Sequence, residues 1–167
     1  MTMELDDLLH ELNDQRRTFR VTVRGLTAAE AVKRTTVSEL TLGGLLKHLT
    51  WCERGWTHIL TEQPLPPPGM LDFDQYTWTG EDFGELLASY DEAVRATDEA
   101  VRTTSLDKLV PLPSAPWDTD PQPMSIRRIV LHLIRETAQH AGHADILRET
   151  LDGQSTTASL YEAQAMS

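Results

Sequence analysis

Two proline-rich stretches interrupt the chain and restrict any helix to the blocks between them. They are EQPLPPPGM at 62–70 and VPLPSAPWDTDPQP at 110–123. Proline has no amide hydrogen to donate and clashes with the preceding helical turn, so neither stretch continues a helix. Both are long for connections in a compact domain, and long ordered loops are often functional.

Outside these stretches, apolar side chains recur with the 3.6-residue period of amphipathic helices. A capping box at Thr27–Glu30 predicts one further short turn, and the tail after Gly153 is expected to be frayed or weakly packed. No alternating run is long enough to predict a strand. The chain therefore predicts an all-α, four-helix bundle with long crossover linkers, forming a single domain over 1–167. The four helices run from about Glu4 to Arg24, from after Thr41 to about Thr61, from Thr79 to about Arg102, and from near Ser125 to Asp152.

The charge of the chain makes nucleic acid a poor partner. Its net charge is −11, from 26 acidic and 15 basic side chains, and such a surface repels phosphate backbones. No apolar run approaches the roughly 20 residues that span a bilayer, and the acidic N-terminus does not resemble a signal peptide. We therefore expect no membrane partner and a cytoplasmic location. Cys52 is the single cysteine, which excludes an internal disulfide.

The last predicted helix carries ligand-type side chains on one stripe. At about 100° per residue, and with His132 at zero, Glu136 falls at about 40°, His140 at about 80° and His143 at about 20°. Apolar residues flank this arc, and burying a carboxylate with several imidazoles is costly unless they are paired or bind a metal. Gly142 costs roughly 1 kcal/mol relative to alanine in a helix, which a close backbone approach or open space would explain.

A single histidine on a helix is more often a surface or hydrogen-bonded residue than a ligand, but the stripe favours a metal. Glu136 and His140, at i and i+4, form a natural two-ligand clamp. A further ligand must come from another helix, and His48, in the middle of an apolar helix, is the best candidate. His10 and His58 lie near helix ends or polar neighbours and are expected to have no such role.

Two segments together resemble a known family. LTLGGLLKHLTWCERGW (40–56), followed by IRETAQHAGHADILRETLDG (134–153), is similar to the DinB-like (YfiT-like) metal-binding four-helix bundles. More narrowly, the pair resembles an uncharacterised actinobacterial branch related to the N-terminal domain of mycothiol-dependent maleylpyruvate isomerase. The resemblance covers nearly the whole chain in helix order, and its specific content is these two segments.

The resemblance implies a ligand set of His48, Glu136 and His140. The family's last helix commonly carries His-x-x-x-His followed by Arg-Gly-Gln. This chain has Glu136 at the first place, as the maleylpyruvate isomerase branch does, and His143 stands where the glutamine would be. The role of His143 therefore stays open between a partner of a ligand, a proton shuttle and a substitute ligand.

The resemblance also implies a function. Two imidazoles and a carboxylate leave positions for water or substrate, as catalytic zinc requires; zinc is expected, and nickel or iron would tolerate the same set. In the family the metal is thought to activate a low-molecular-weight thiol, such as mycothiol or bacillithiol, for transfer or isomerisation, and dimers are common. We expect a metal-dependent thiol transferase, isomerase or hydrolase that acts on a small electrophile, most plausibly by transfer of the thiol with His143 as proton acceptor, in a homodimer. A non-catalytic metal- or ligand-binding stress or regulatory module is the competing hypothesis.

Secondary expectations concern residues near the stripe. Cys52 is expected to be a buried apolar residue, and Trp51 and Trp56 to pack the core or a dimer interface. A substrate carboxylate could be held by Arg135 or Arg148, and Asp145 could orient a ligand imidazole. Two tryptophans in or beside the linkers, Trp78 and Trp117, could line a pocket mouth.

Overall fold

The computed structural model describes residues 3–67, 74–80, 82–116 and 118–165, and its architecture is mostly helical. Trp117 lies outside these residues, so its expected place at a pocket mouth has no structural description. No helix in the described ranges is long and apolar enough to cross a membrane. The elements in chain order are α1 (Met3–Val23), α2 (Ala28–Ala31), α3 (Leu42–Leu60), α4 (Phe83–Arg102), β1 (Leu109–Val110), β2 (Met124–Ser125), α5 (Ile126–Asp152) and α6 (Thr156–Ala165).

Four long helices form the bundle, and two groups of buried side chains show how they run. One group joins the start of α1 to the ends of α3 and α4 and the start of α5. The other joins the end of α1 to the starts of α3 and α4 and the end of α5. Helices α3 and α4 are therefore parallel to each other and antiparallel to α1 and α5. This arrangement confirms the predicted all-α bundle.

The two proline-rich connections have different paths. The end of α3 and the start of α4 lie at opposite ends of the bundle, so the connection between them, 61–82, is one of the crossovers that the sequence predicts. The end of α4 and the start of α5 lie at the same end, so the expectation that the connection 103–125 is a second crossover is wrong. This second connection contains the two-residue antiparallel pair of β1 and β2, and the carbonyls of Leu106 and Lys108 accept hydrogen bonds from the first amides of α5.

Capping residues account for most helix ends. The side chains of Thr41 and Ser125 accept hydrogen bonds from backbone amides at the starts of α3 and α5. Gly153 ends α5 in the left-handed conformation, with φ of 78°. The Thr27–Glu30 capping box forms as predicted.

Two expectations about helix ends are wrong. Helix α4 begins at Phe83, not at Thr79, because the Asp82 carboxylate caps the amide of Glu85. As far as Ala165 the tail after Gly153 is not frayed, since Thr156–Ala165 forms α6, which contacts α1. There Thr156 donates its amide to Asp145 Oδ1 at 2.8 Å and shares a hydroxyl hydrogen bond with Thr22 at 2.7 Å. Asp145 therefore caps α6 and does not orient a ligand imidazole.

A buried ion pair ties three helices together, and sequence analysis did not predict it. Arg16 of α1 donates Nε and Nη2 to the two carboxylate oxygens of Glu53 on α3, at 2.7 and 2.8 Å. Arg16 Nη1 also binds Asp98 of α4 at 2.7 Å, and Thr97 donates to Glu53 Oε2 at 2.6 Å. Both Arg16 and Glu53 have only 2% of their side-chain surface exposed, so each charge depends on the other for compensation.

Replacing Glu53 with alanine should destabilise the fold strongly, because it leaves the Arg16 guanidinium buried with a weakened set of partners. We expect the free energy of unfolding, measured by urea denaturation, to fall by roughly 3–5 kcal/mol. Asp14→Ala removes the partner of exposed Arg17 and should cost less than about 1 kcal/mol. Equal losses in the two variants would contradict a stabilising role for the buried pair.

Candidate metal centre

Three predicted ligand residues lie together between α3 and α5. Each of His48, Glu136 and His140 offers one ligand atom, and these atoms all lie within 4.8 Å of one another. Glu136 Oε2 is 3.6 Å from His140 Nε2 and 4.0 Å from His48 Nε2. The group is mostly buried, with 8%, 20% and 6% of the His48, Glu136 and His140 side chains exposed.

The second nitrogen of each imidazole has its own partner. His48 Nδ1 lies 3.1 Å from Gln75 Oε1, which can only accept, so His48 carries its proton on Nδ1 and its Nε2 lone pair faces Glu136. His140 Nδ1 lies 3.4 Å from His143 Nδ1. Such partners orient the imidazoles of metal sites and select the tautomer that binds.

Outer contacts also orient the Glu136 carboxylate. Arg135 Nη2 donates to Glu136 Oε1 at 3.3 Å and to His132 Nδ1 at 2.8 Å. The proton of His132 is therefore on Nε2, which lies 3.6 Å from the same Oε1. With Oε1 engaged on the outer side, Oε2 is the oxygen directed at the two ligand imidazoles.

Burial keeps the imidazoles neutral, which is the state that binds a metal. Desolvation, followed by the charge of His140, lowers the pKa of His48 to about 4, against smaller opposing effects of Gln75 and Glu136. Desolvation is also the main cause of the lowered pKa values of His140 and His132. Two neutral nitrogens and one carboxylate oxygen form a donor set that fits a divalent ion and leaves further coordination positions open.

The connection 61–82 supplies two site residues that sequence analysis missed. Gln75 orients His48, as above, and the Tyr76 ring stacks on the His48 ring with centroids 4.0 Å apart. The Tyr76 hydroxyl lies 3.1 Å from His48 Nε2 and 3.4 Å from His140 Nε2. Burial, then Cys52 and Glu136, raise the pKa of Tyr76, so its hydroxyl is protonated at neutral pH.

Two glycines at the start of α3 make room for this segment. A Cβ at Gly43 would overlap the Trp78 ring, and a Cβ at Gly44 would overlap the carbonyl oxygen of Tyr76. The segment therefore packs directly against the helix backbone, which brings Gln75 and Tyr76 to His48. Trp78 packs on Gly43 and Phe83, so it does not line the cavity mouth as proposed from the sequence.

A cavity of about 330 Å³ adjoins the group. Its wall includes His48, Gln75 and Glu136 of the candidate metal centre, and also Cys52. Both proline-rich connections also contribute to the wall, which supports a functional reason for their length. The apolar residues of the wall are Trp51, Trp56, Ile59, Pro67, Leu112, Pro113, Ala115 and Pro121.

The remaining candidates have varied positions. Cys52 is buried, and desolvation, Glu136 and Glu53 raise its pKa to about 12, so it is a protonated thiol, 3.3 Å from His48 Nε2. Arg148 is buried and donates to the carbonyls of Thr22 and Arg24, which makes it unavailable to a substrate in the cavity. Space is open beside Gly142, where a Cβ would meet nothing within 4 Å.

The fold and this group of residues define a class: four-helix bundles with a His, Glu and His group that could hold a metal ion. The model of the Mycothiol-S-transferase family matches residues 7–153, which is most of the chain, and the chain belongs to this family.

A solved structure is similar in fold. The "conserved protein of locus from Enterococcus faecalis" has a TM-score of 0.72 and 14% sequence identity, over 92% of this chain and 99% of that chain. At that identity the likeness shows the fold alone. No curated protein sequence is significantly similar to this chain.

Replacing Gln75 with leucine should remove the preference of His48 for the tautomer protonated on Nδ1. In the native chain we expect the His48 proton on Nδ1; in the variant, Nε2-protonated imidazole should appear as well. Proton–nitrogen NMR correlations of the imidazole ring distinguish the two forms. Gln63→Leu is the matched control, since that amide contacts the carbonyl of Thr61 at the end of α3. A His48 tautomer unaltered by Gln75→Leu would contradict the orienting role.

Proposed function

We infer that this protein is a metal-dependent thiol S-transferase, with a divalent ion held by His48, Glu136 and His140. The observation that carries the proposal is the geometry of this group: three ligand atoms within 4.8 Å of one another, each on a side chain whose other polar atom has a partner. Zinc is the proposed ion, with nickel or iron as the other candidates. Membership of the Mycothiol-S-transferase family supports a thiol of the mycothiol or bacillithiol type as cosubstrate.

The proposed sulfur nucleophile is an external thiol, because the single cysteine of the chain, Cys52, is buried and the family is that of mycothiol S-transferases. When bound, the ion would lower the pKa of an incoming thiol and keep it as a nucleophilic thiolate at neutral pH. The sulfur then forms a bond to the electrophilic carbon, and the leaving group departs with the electrons of the broken bond. The thiol proton passes to a base, for which His143 is proposed.

His143 fits this task through its Nδ1 nitrogen. Its Nδ1 lies 3.4 Å from His140 Nδ1. When His140 keeps its proton on Nδ1, neutral His143 carries its own proton on Nε2, so its Nδ1 is the atom that would take the thiol proton, with loss of the hydrogen bond from His140. The same contact orients the imidazole of His140. We therefore propose that His143 supports a ligand and does not bind the ion itself.

The cavity indicates the class of electrophile. Two indole rings, an isoleucine, a leucine, an alanine and three prolines are eight of its 15 lining residues in the described part of the chain, so the substrate that fits best has an apolar body. Arg135, beside Glu136, is the cation proposed to hold a substrate carboxylate.

Two variants test the ligand and proton-acceptor roles together. His140→Ala should abolish stoichiometric zinc, measured by elemental analysis after loading and dialysis, and should abolish transfer of mycothiol to a panel of apolar electrophiles. His143→Ala should retain one equivalent of zinc but have a lower turnover. Loss of zinc in His143→Ala would make His143 a ligand, and inactivity of the zinc-loaded native protein with every electrophile would favour a binding module.

We also propose a homodimer formed through helix faces. Leu131 and Ile146 of α5 are 50% and 58% exposed, and at about 100° per residue they lie only about 60° apart around the helix. Light scattering at micromolar concentration should give twice the chain mass, and Ile146→Glu should reduce it to that of the monomer. A monomeric native protein would contradict the proposal.

A further inference from the structure

Tyr76 is the residue of the site whose position is least explained by the ligand set. Its hydroxyl faces both imidazole nitrogens that the proposed ion would use, at 3.1 and 3.4 Å. In the tautomers that free both Nε2 atoms for an ion, the hydroxyl faces two lone pairs and has one hydrogen to donate. If the Tyr76 hydroxyl donates this hydrogen to one imidazole, no hydrogen is left for its contact with the second imidazole.

The two distances match the spacing of neighbouring ligands around one ion. With zinc–ligand bonds of about 2.0–2.1 Å and tetrahedral angles, adjacent ligand atoms lie about 3.3 Å apart. The Tyr76 oxygen meets this spacing toward both nitrogens, and Glu136 Oε2 lies slightly farther from them, at 3.6 and 4.0 Å. The four atoms thus come from His48, Glu136, His140 and Tyr76.

Tyr76 is also placed where it can leave. It lies on a connection and not on a bundle helix, and 37% of its surface is exposed. The turn that carries it has its own attachments, since Lys47 Nζ donates to the carbonyls of Asp74 and Thr77. The side chain can therefore swing outward while the turn stays in place. A neutral phenol is also a weaker ligand than a thiolate.

We propose that the Tyr76 hydroxyl is a displaceable fourth ligand of the metal centre, occupying the coordination position that the thiol takes when it binds. This inference rests on the proposed metal centre. With an ion bound, the phenol would leave with its proton, the thiol would take its place as a thiolate, and the thiol proton would go to the base described above. The tyrosine thereby closes the coordination sphere between turnovers and excludes other small ligands.

Tyr76→Phe tests the proposal, because it keeps the stacked ring and removes the oxygen. The probes are Co²⁺, whose visible absorption reports its coordination, and 2-mercaptoethanol as the thiol. We expect the affinity for Co²⁺ to fall about three- to tenfold and the affinity of the Co²⁺-loaded protein for the thiol to rise at least about threefold. Tyr161→Phe, at an exposed position on α6, is the matched control and should change neither.

A second variant shifts the segment that carries Tyr76 and retains the Tyr76 hydroxyl oxygen. Gly44→Ala pushes on the carbonyl of Tyr76 and should shift both affinities in the same directions, with circular dichroism confirming the helical fold of each variant. If Tyr76→Phe binds the thiol more weakly but binds Co²⁺ with unchanged affinity, the Tyr76 hydroxyl is a hydrogen-bond donor to the thiol and the proposal is overturned. Two unchanged affinities would also overturn it. A native protein that binds no Co²⁺ would contradict the metal centre itself.

Discussion

The bidentate ion pair between Arg16 and Glu53 determines how α3 is rotated within the bundle. Burying these two charges is tolerable only if they meet in one geometry, and that geometry directs Glu53 toward α1 and α4. Five helical positions separate Glu53 from His48, so at about 100° per residue the two side chains point about 140° apart. The ion pair therefore turns His48 toward α5, where Glu136 and His140 lie.

Much of the bundle and the ligand group could be predicted because the signals are local. The apolar period indicated the four long helices. The boundaries expected near Thr41, Ser125 and Asp152 agree with α3 and α5, whereas the start of α4 was expected four residues too early. Glu136 and His140 are one helical turn apart, so any helix places them side by side. His48 required a neighbouring helix, and its choice depended on the resemblance of the segment around it to a known family.

What sequence analysis missed depends on contacts between distant parts of the chain. Glu53 and Arg16 have the residue types of a solvated helix surface, and only the packing of three helices shows that they are buried. Gln75 and Tyr76 lie in a connection without periodicity, so no pattern places them against His48. A possible signal was the Gly43–Gly44 pair, since two adjacent glycines inside an apolar helix indicate that another part of the chain approaches closely.

Because of that glycine pair, two different parts of the chain, the bundle helices and the connection 61–82, contribute groups to the site. The helices place the three candidate ligand atoms, whereas the segment packed on the glycines supplies Gln75, the partner of the His48 imidazole, and Tyr76, whose hydroxyl faces both imidazoles. Residues 74–77 can therefore change with little effect on the bundle core, whereas Trp78 is packed against it. A lineage of such proteins could acquire new reactivity by exchanging four residues of connection, while inheriting the stability of the scaffold.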